Sequence, residues 1–144
     1  MENSLIEKID KERYIVIQLV TIGFGIWFGS QILQDVFKNS SIELFIVLIE
    51  FIGVILFIVG QIKRIKLLRK INSSVILKEA LNNEMYLLYI YKSLYIGFWA
   101  VIITSCCLYF ISAVYDISAF LVCKIILFFG GIASFIAYLI FNKN

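Results

Sequence analysis

Four runs of about twenty apolar residues constrain this chain more than any other feature, because a helix needs about 20 residues to cross a bilayer core of about 30 Å. They are Tyr14 to Leu33, "YIVIQLVTIGFGIWFGSQIL", then Ile42 to Ile62, about Leu94 to Tyr115, and about Ala119 to Phe141. Lipid offers no hydrogen-bond partner to the backbone, so each run is expected to be a helix. The chain is 62% hydrophobic, against about 45–50% for a soluble domain. Its mean hydropathy is +0.97. The polar "QDVFKNSS" between the first two spans and the turn at Asp116 between the last two are short, and short connections make antiparallel neighbours. The expected fold is therefore an all-α integral membrane protein. It is a single membrane domain over residues 1–144, built as a four-transmembrane-helix bundle of two antiparallel hairpins.

The first residues, "MENSLIEKIDKER", carry Glu2, Glu7, Asp10 and Glu12, unlike the positive start of a signal peptide. The first span is therefore expected to remain as an anchor. Ser4 and Glu7 have capping-box spacing, which predicts a short amphipathic helix from Leu5 to Arg13 lying at the interface. Of the thirteen Lys and Arg residues, eleven flank one side of the predicted spans: Lys8, Lys11, Arg13, seven between Lys63 and Lys92, and Lys143. Only Lys38 and Lys124 fall on the other. The positive-inside rule then puts both termini and the connection 63–93 in the cytoplasm, in a bacterial-type cytoplasmic (cell inner) membrane.

That connection opens with "KRIKLLRK", whose Lys63, Arg64, Lys66, Arg69 and Lys70 set topology and attract anionic lipid at the cytoplasmic face. The run abuts a membrane span, which argues against nucleic acid as its partner. After "INSS", Ser73 or Ser74 can cap a helix with Leu77, Leu81, Met85 and Leu88 on one face. This cytoplasmic amphipathic extension is expected to run into the third span, since no Pro or Gly intervenes before Gly97.

Small and polar residues recur at helical spacing. On the first span they are Gln18, Thr21, Gly25 and Gly29, and on the second Glu43, Glu50, Gly53 and Gly60. Gly97, Thr104 and Ser112 follow on the third, and Lys124, Gly131 and Tyr138 on the fourth. Small residues let helices approach and polar ones bond across helices, so these faces should meet. Glu50, inside "VLIEFIGVILF", is the most conspicuous of them. A carboxylate at helix centre costs about 2.5–3.5 kcal/mol on insertion scales. Three fates compete for it: hydrogen bonds to polar groups such as Gln18 or to another subunit, an ion pair with Lys124, or binding of a proton or cation in transport. Glu50, Lys124 and Gln18 thus form the candidate intramembrane polar site, with Gly25, Gly29, Gly53, Gly60 and Gly131 as packing positions.

The chain has no histidine, hence no imidazole for a catalytic triad, a zinc site or a proton relay. No Gly-rich loop has phosphate-binding spacing. Cys106 and Cys107 point to different helix faces, and a bridge from Cys107 to Cys123 needs helix contact that spacing does not establish. No cofactor, metal or catalytic residue is expected. The sequence points to a small non-enzymatic multi-pass membrane protein that self-associates or serves as a subunit or regulator of a membrane complex. The alternatives are a small proton- or cation-coupled transporter or pore using Glu50, and a membrane-acting defence, toxin or immunity protein.

Overall fold

Helix propensity and apolar pattern continue past the predicted span edges, and the helices follow them. In the computed structural model, which describes residues 2–38, 42–74, 77 and 84–142, the chain is all-helical. Helix α1 covers Glu2–Val36, α2 Glu43–Asn72, α3 Glu84–Ser112 and α4 Ala119–Phe141. All four are long and apolar enough to span a membrane. At 1.5 Å per residue, α1 is about 50 Å long and α4 about 35 Å, so α1 outreaches any bilayer core.

The excess length of α1 replaces the separate interfacial helix expected from Ser4 and Glu7. The helix begins upstream of Ser4 and runs unbroken through Arg13. The reason lies in packing: Ile9 is fully buried against Leu67, Ile71 and Leu77, with Ile6 at the edge. An apolar cluster of this kind holds the N-terminal turns of α1 on α2 rather than on lipid. The basic run is likewise not a break. α2 carries straight through "KRIKLLRKIN" and ends at Ser73, whose N–H donates to the Arg69 carbonyl. Ser74 Oγ then accepts the Leu77 N–H at 3.4 Å. Leu81 of the expected amphipathic face lies outside the described residues, as do the flanking charges Lys78 and Lys143. The third span closes at Ser112, earlier than expected, in a turn over residues 113–115. α4 opens on Ser118, whose Oγ accepts the Leu121 N–H at 3.3 Å.

α1 is the centre of the assembly. It packs along α2 on one side and against α4 on the other, and α3 packs on α4. Glycines set the closest approaches. A Cβ on Gly53 would lie 2.5 Å from the Trp27 amide nitrogen, and one on Gly60 would lie 2.8 Å from Val20 Cγ2. Gly23 gives the mirror contact, against the backbone of Phe57. The neighbouring glycines Gly130 and Gly131 divide the work on α4. Gly130 meets Val101 of α3, whereas Gly131 lies under the Phe24 ring of α1, where an added Cβ would be 2.7 Å from Cζ. Adjacent positions on a helix are about 100° apart, so two glycines in sequence let α4 approach two neighbours at once. Gly97 of α3 sits against Ser134 and the Gly130 carbonyl.

Aromatic rings fill the space that the glycines open. Phe24 stacks on Phe28 at 4.7 Å and meets Phe135 of α4 edge-on at 5.4 Å. Trp27 contacts Phe57 of α2, also at 5.4 Å. Such ring pairs add about 0.5–1.5 kcal/mol each beyond the area they bury. The outer faces of α2 and α3 remain apolar and exposed, with Leu44, Phe45, Phe51, Ile55, Phe98 and Phe110 among them.

Candidate functional site

Glu50 does not meet Lys124 or Gln18. Its Oε1 accepts an amide N–H from Gln31 Nε2 at 3.0 Å, and its Oε2 accepts one from Gln34 Nε2. Both donors lie on α1, three residues apart, so they project from one face. Trp27 opposite Gly53 places Glu50 near the level of residue 30 on α1. Gln18 is then about 18 Å away along the helix axis, beyond reach. The pairing is possible because α1 continues to Val36. Gln34, Asp35 and Val36, which read as the start of the connection, belong to the last turn of the helix.

Lys124 is held by a different acid. Its Nζ is 2.6 Å from Asp35 Oδ2 and sits 4.4 Å from the centroid of the Phe120 ring. The lysine side chain is only 16% exposed and the aspartate 33%. A charge-assisted bond in such partial burial is stronger than a surface pair. Gln31, Gln34 and Asp35 therefore form one polar turn at the end of α1. Two of its side chains tie α2 through Glu50, and the third ties α4 through Lys124.

A second tie lies at the opposite end of α1. Arg13, 9% exposed, donates from Nη2 to Asp10 Oδ1 at 2.6 Å and to Asn142 Oδ1 at 3.1 Å. Its guanidinium carbon is 4.2 Å above the Tyr86 ring of α3, which in turn meets Tyr138 of α4 edge-on at 6.1 Å. One arginine thus joins three helices, α1, α3 and α4. Its planar fork and weak hydration suit it to bond acceptors in its plane while stacking on a ring. From sequence, Arg13 counts only toward topology.

The remaining predicted positions fall as follows. Gly53 and Gly60 face α1, and Gly131 faces Phe24. Gly25 and Gly29 face α4 rather than α2, toward Ile132 at 3.3 Å and Phe128 at 3.8 Å from an added Cβ. The tight glycine of α1 toward α2 is Gly23, off the predicted stripe. Thr21 Oγ1 donates to the Ile17 carbonyl of its own helix at 2.8 Å instead of bonding across. Lys63, Arg64, Lys66, Arg69 and Lys70 are all exposed along α2. Arg64 faces a cavity of 170 Å³ that Tyr86, Ser93, Ser134 and Tyr138 also line. Cys106, Cys107 and Cys123 are free thiols, exposed on the helix surfaces, so the bridge considered from sequence is not formed. Among the described residues no group of three or more Cys, Asp or Glu is placed to hold a metal ion.

No protein-family model matches the chain, and searches of curated proteins and of solved structures find no match either.

Proposed function

We propose that this is a small non-enzymatic protein of a bacterial-type cytoplasmic membrane, arranged as two antiparallel hairpins with both termini inside. It works by assembly, with itself or as a subunit or regulator of a membrane complex. The observation that carries this reading is the use made of the charged groups set among the helices. Glu50, Asp35, Lys124 and Arg13 each grip a neighbouring helix or its cap. A carboxylate whose two oxygens both accept amide N–H groups is suited to fixing a helix rather than to exchanging a cargo. The arrangement of contacts supports the hairpins: Val20 opposes Gly60, and Trp27 opposes Gly53. The basic flanks support the orientation. The broad apolar faces of α2 and α3 offer surface to lipid or to another membrane protein.

The test is protein reconstituted in liposomes. Donor- and acceptor-labelled copies should show energy transfer that persists when lipid dilutes the protein, or transfer to a captured membrane partner. Proton and cation fluxes should equal those of empty vesicles, for wild type and Glu50→Gln alike. Flux present in wild type and abolished by Glu50→Gln would instead make the protein a carrier.

A further inference from the structure

At the basic end, the surfaces of α1 and α2 border a groove of 370 Å³. Its apolar lining is Ile15, Val16 and Leu19 of α1 with Leu67 of α2, and three lysines of α2 stand over it: Lys63, Lys66 and Lys70. Positions i, i+3 and i+7 fall within an arc of about 60° on a helix and extend about 10 Å along it. The three ammonium groups therefore converge on one strip of surface. Glu12 is also on the rim, which leaves the groove two positive charges in balance. Arg64 and Arg69, with the same charge in the same run, lie about 90° or more from the middle of the arc. Arg64 lines the separate cavity beside Tyr86.

An apolar floor under a strip of cations matches an amphiphile with an anionic head. The apolar lining of Ile15, Val16, Leu19 and Leu67 would not satisfy a polar chain laid along it, and a purely apolar occupant would leave the lysines unused. We infer that this groove holds one anionic phospholipid of the surrounding leaflet, its phosphate on Lys63, Lys66 and Lys70 and an acyl chain along Ile15, Val16 and Leu19. The inference rests on the membrane reading above and narrows its diffuse attraction for anionic lipid to one site. Lysine supplies point charges that adapt to a phosphate, while the stems of the three side chains extend the apolar wall.

The experiment is a titration of the purified full-length protein in detergent with phosphatidylglycerol, followed by native mass spectrometry. Wild type should retain one lipid, and phosphatidylcholine should not replace it. Lys66→Gln/Lys70→Gln should weaken retention at least tenfold, and Arg64→Gln/Arg69→Gln less than threefold. Leu19→Trp, which fills the floor and leaves every charge in place, should weaken it as well. Soluble glycerol 3-phosphate should not compete, since it has no acyl chain. Equal losses for the lysine and arginine pairs mean diffuse surface attraction and overturn the site. Full retention in Leu19→Trp, or competition by glycerol phosphate, overturns the acyl-chain half of the assignment. Liposome flotation separates the two levels: protein that floats but retains no lipid refutes this site alone, whereas protein that does not float refutes the membrane reading.

Discussion

Replacing Gly53 by alanine puts a methyl group where the structure leaves no room. The new Cβ would lie 2.5 Å from the Trp27 amide nitrogen, 2.9 Å from Trp27 Cα and 2.8 Å from Ile26 Cγ2. Two of these three atoms are backbone, so no rotamer change removes them. Ordinary contact between heavy atoms is about 3.5–4.0 Å, so α1 and α2 must part by roughly 1 Å, and a gap of that size forfeits a quarter to a half of each contact's attraction. Overpacking costs about 1–3 kcal/mol, and the backbone contact places this site in the upper half of the range. Removing a mid-helix glycine returns about 0.5–1 kcal/mol, which leaves a net loss of about 1–2 kcal/mol. Gly29→Ala is the matched control. Its Cβ would meet only Phe128 ring atoms, at 3.8 and 4.0 Å, so it keeps the propensity gain of about 0.5–1 kcal/mol without the clash. The two variants should differ by about 2–3 kcal/mol in a reversible detergent-to-dodecylsulfate unfolding titration followed by circular dichroism. Equal stabilities for Gly53→Ala and Gly29→Ala would refute the close backbone approach on which the packing of α1 and α2 is argued.

The ion pair between α1 and α4 makes a second, asymmetric prediction. Lys124→Ala should cost about 1–3 kcal/mol by leaving Asp35 without its cation in partial burial. Adding Asp35→Asn should recover part of that loss, while adding Glu50→Gln should contribute only its own independent cost in the same titration. At the other end, Arg13→Ala should cost about 1–3 kcal/mol by removing the charge-assisted bond to Asn142 and vacating the Tyr86 face, while the half-exposed Asp10 is taken up by water. Arg13→Lys should recover less than half of it, because an ammonium cannot bond in plane and stack on a ring together.

The four spans are legible in the sequence because their signal is length and hydropathy, properties that each run carries by itself. The ends of the helices are less so. Gln34 and Asp35 read as a connection when the span is closed at Leu33, yet their i+3, i+4 spacing from Gln31 is the sign that the helix continues. Gln31 lies within the predicted span, and one further turn of helix brings Gln34 to the same face toward Glu50. Lys124 is one of the partners that the sequence offers Glu50, but position along a helix does not fix direction around it. α1 stands between α2 and α4, so its own Asp35 intercepts Lys124. Gly23 is not singled out by sequence for a similar reason: three glycines crowd "TIGFGIWFG", and only the neighbours decide which of them faces α2. Arg13 shows the limit most plainly. An arginine among charged residues before a span reads as a flanking charge, and its burial depends on Tyr86, Tyr138 and Asn142 arriving from far along the chain.

The claim at the centre of this account is that Glu50 ties α2 to α1 through Gln31 and Gln34. A double-mutant cycle between Glu50→Ala and the pair Gln31→Ala/Gln34→Ala, read as unfolding free energy in the titration above, measures that tie. Hydrogen bonds between membrane helices couple by about 0.6–1.7 kcal/mol each, so the account predicts a coupling of about 1–3 kcal/mol for the two bonds together. Strictly additive effects, with Glu50→Ala costing the same whether or not the glutamines are present, would contradict it.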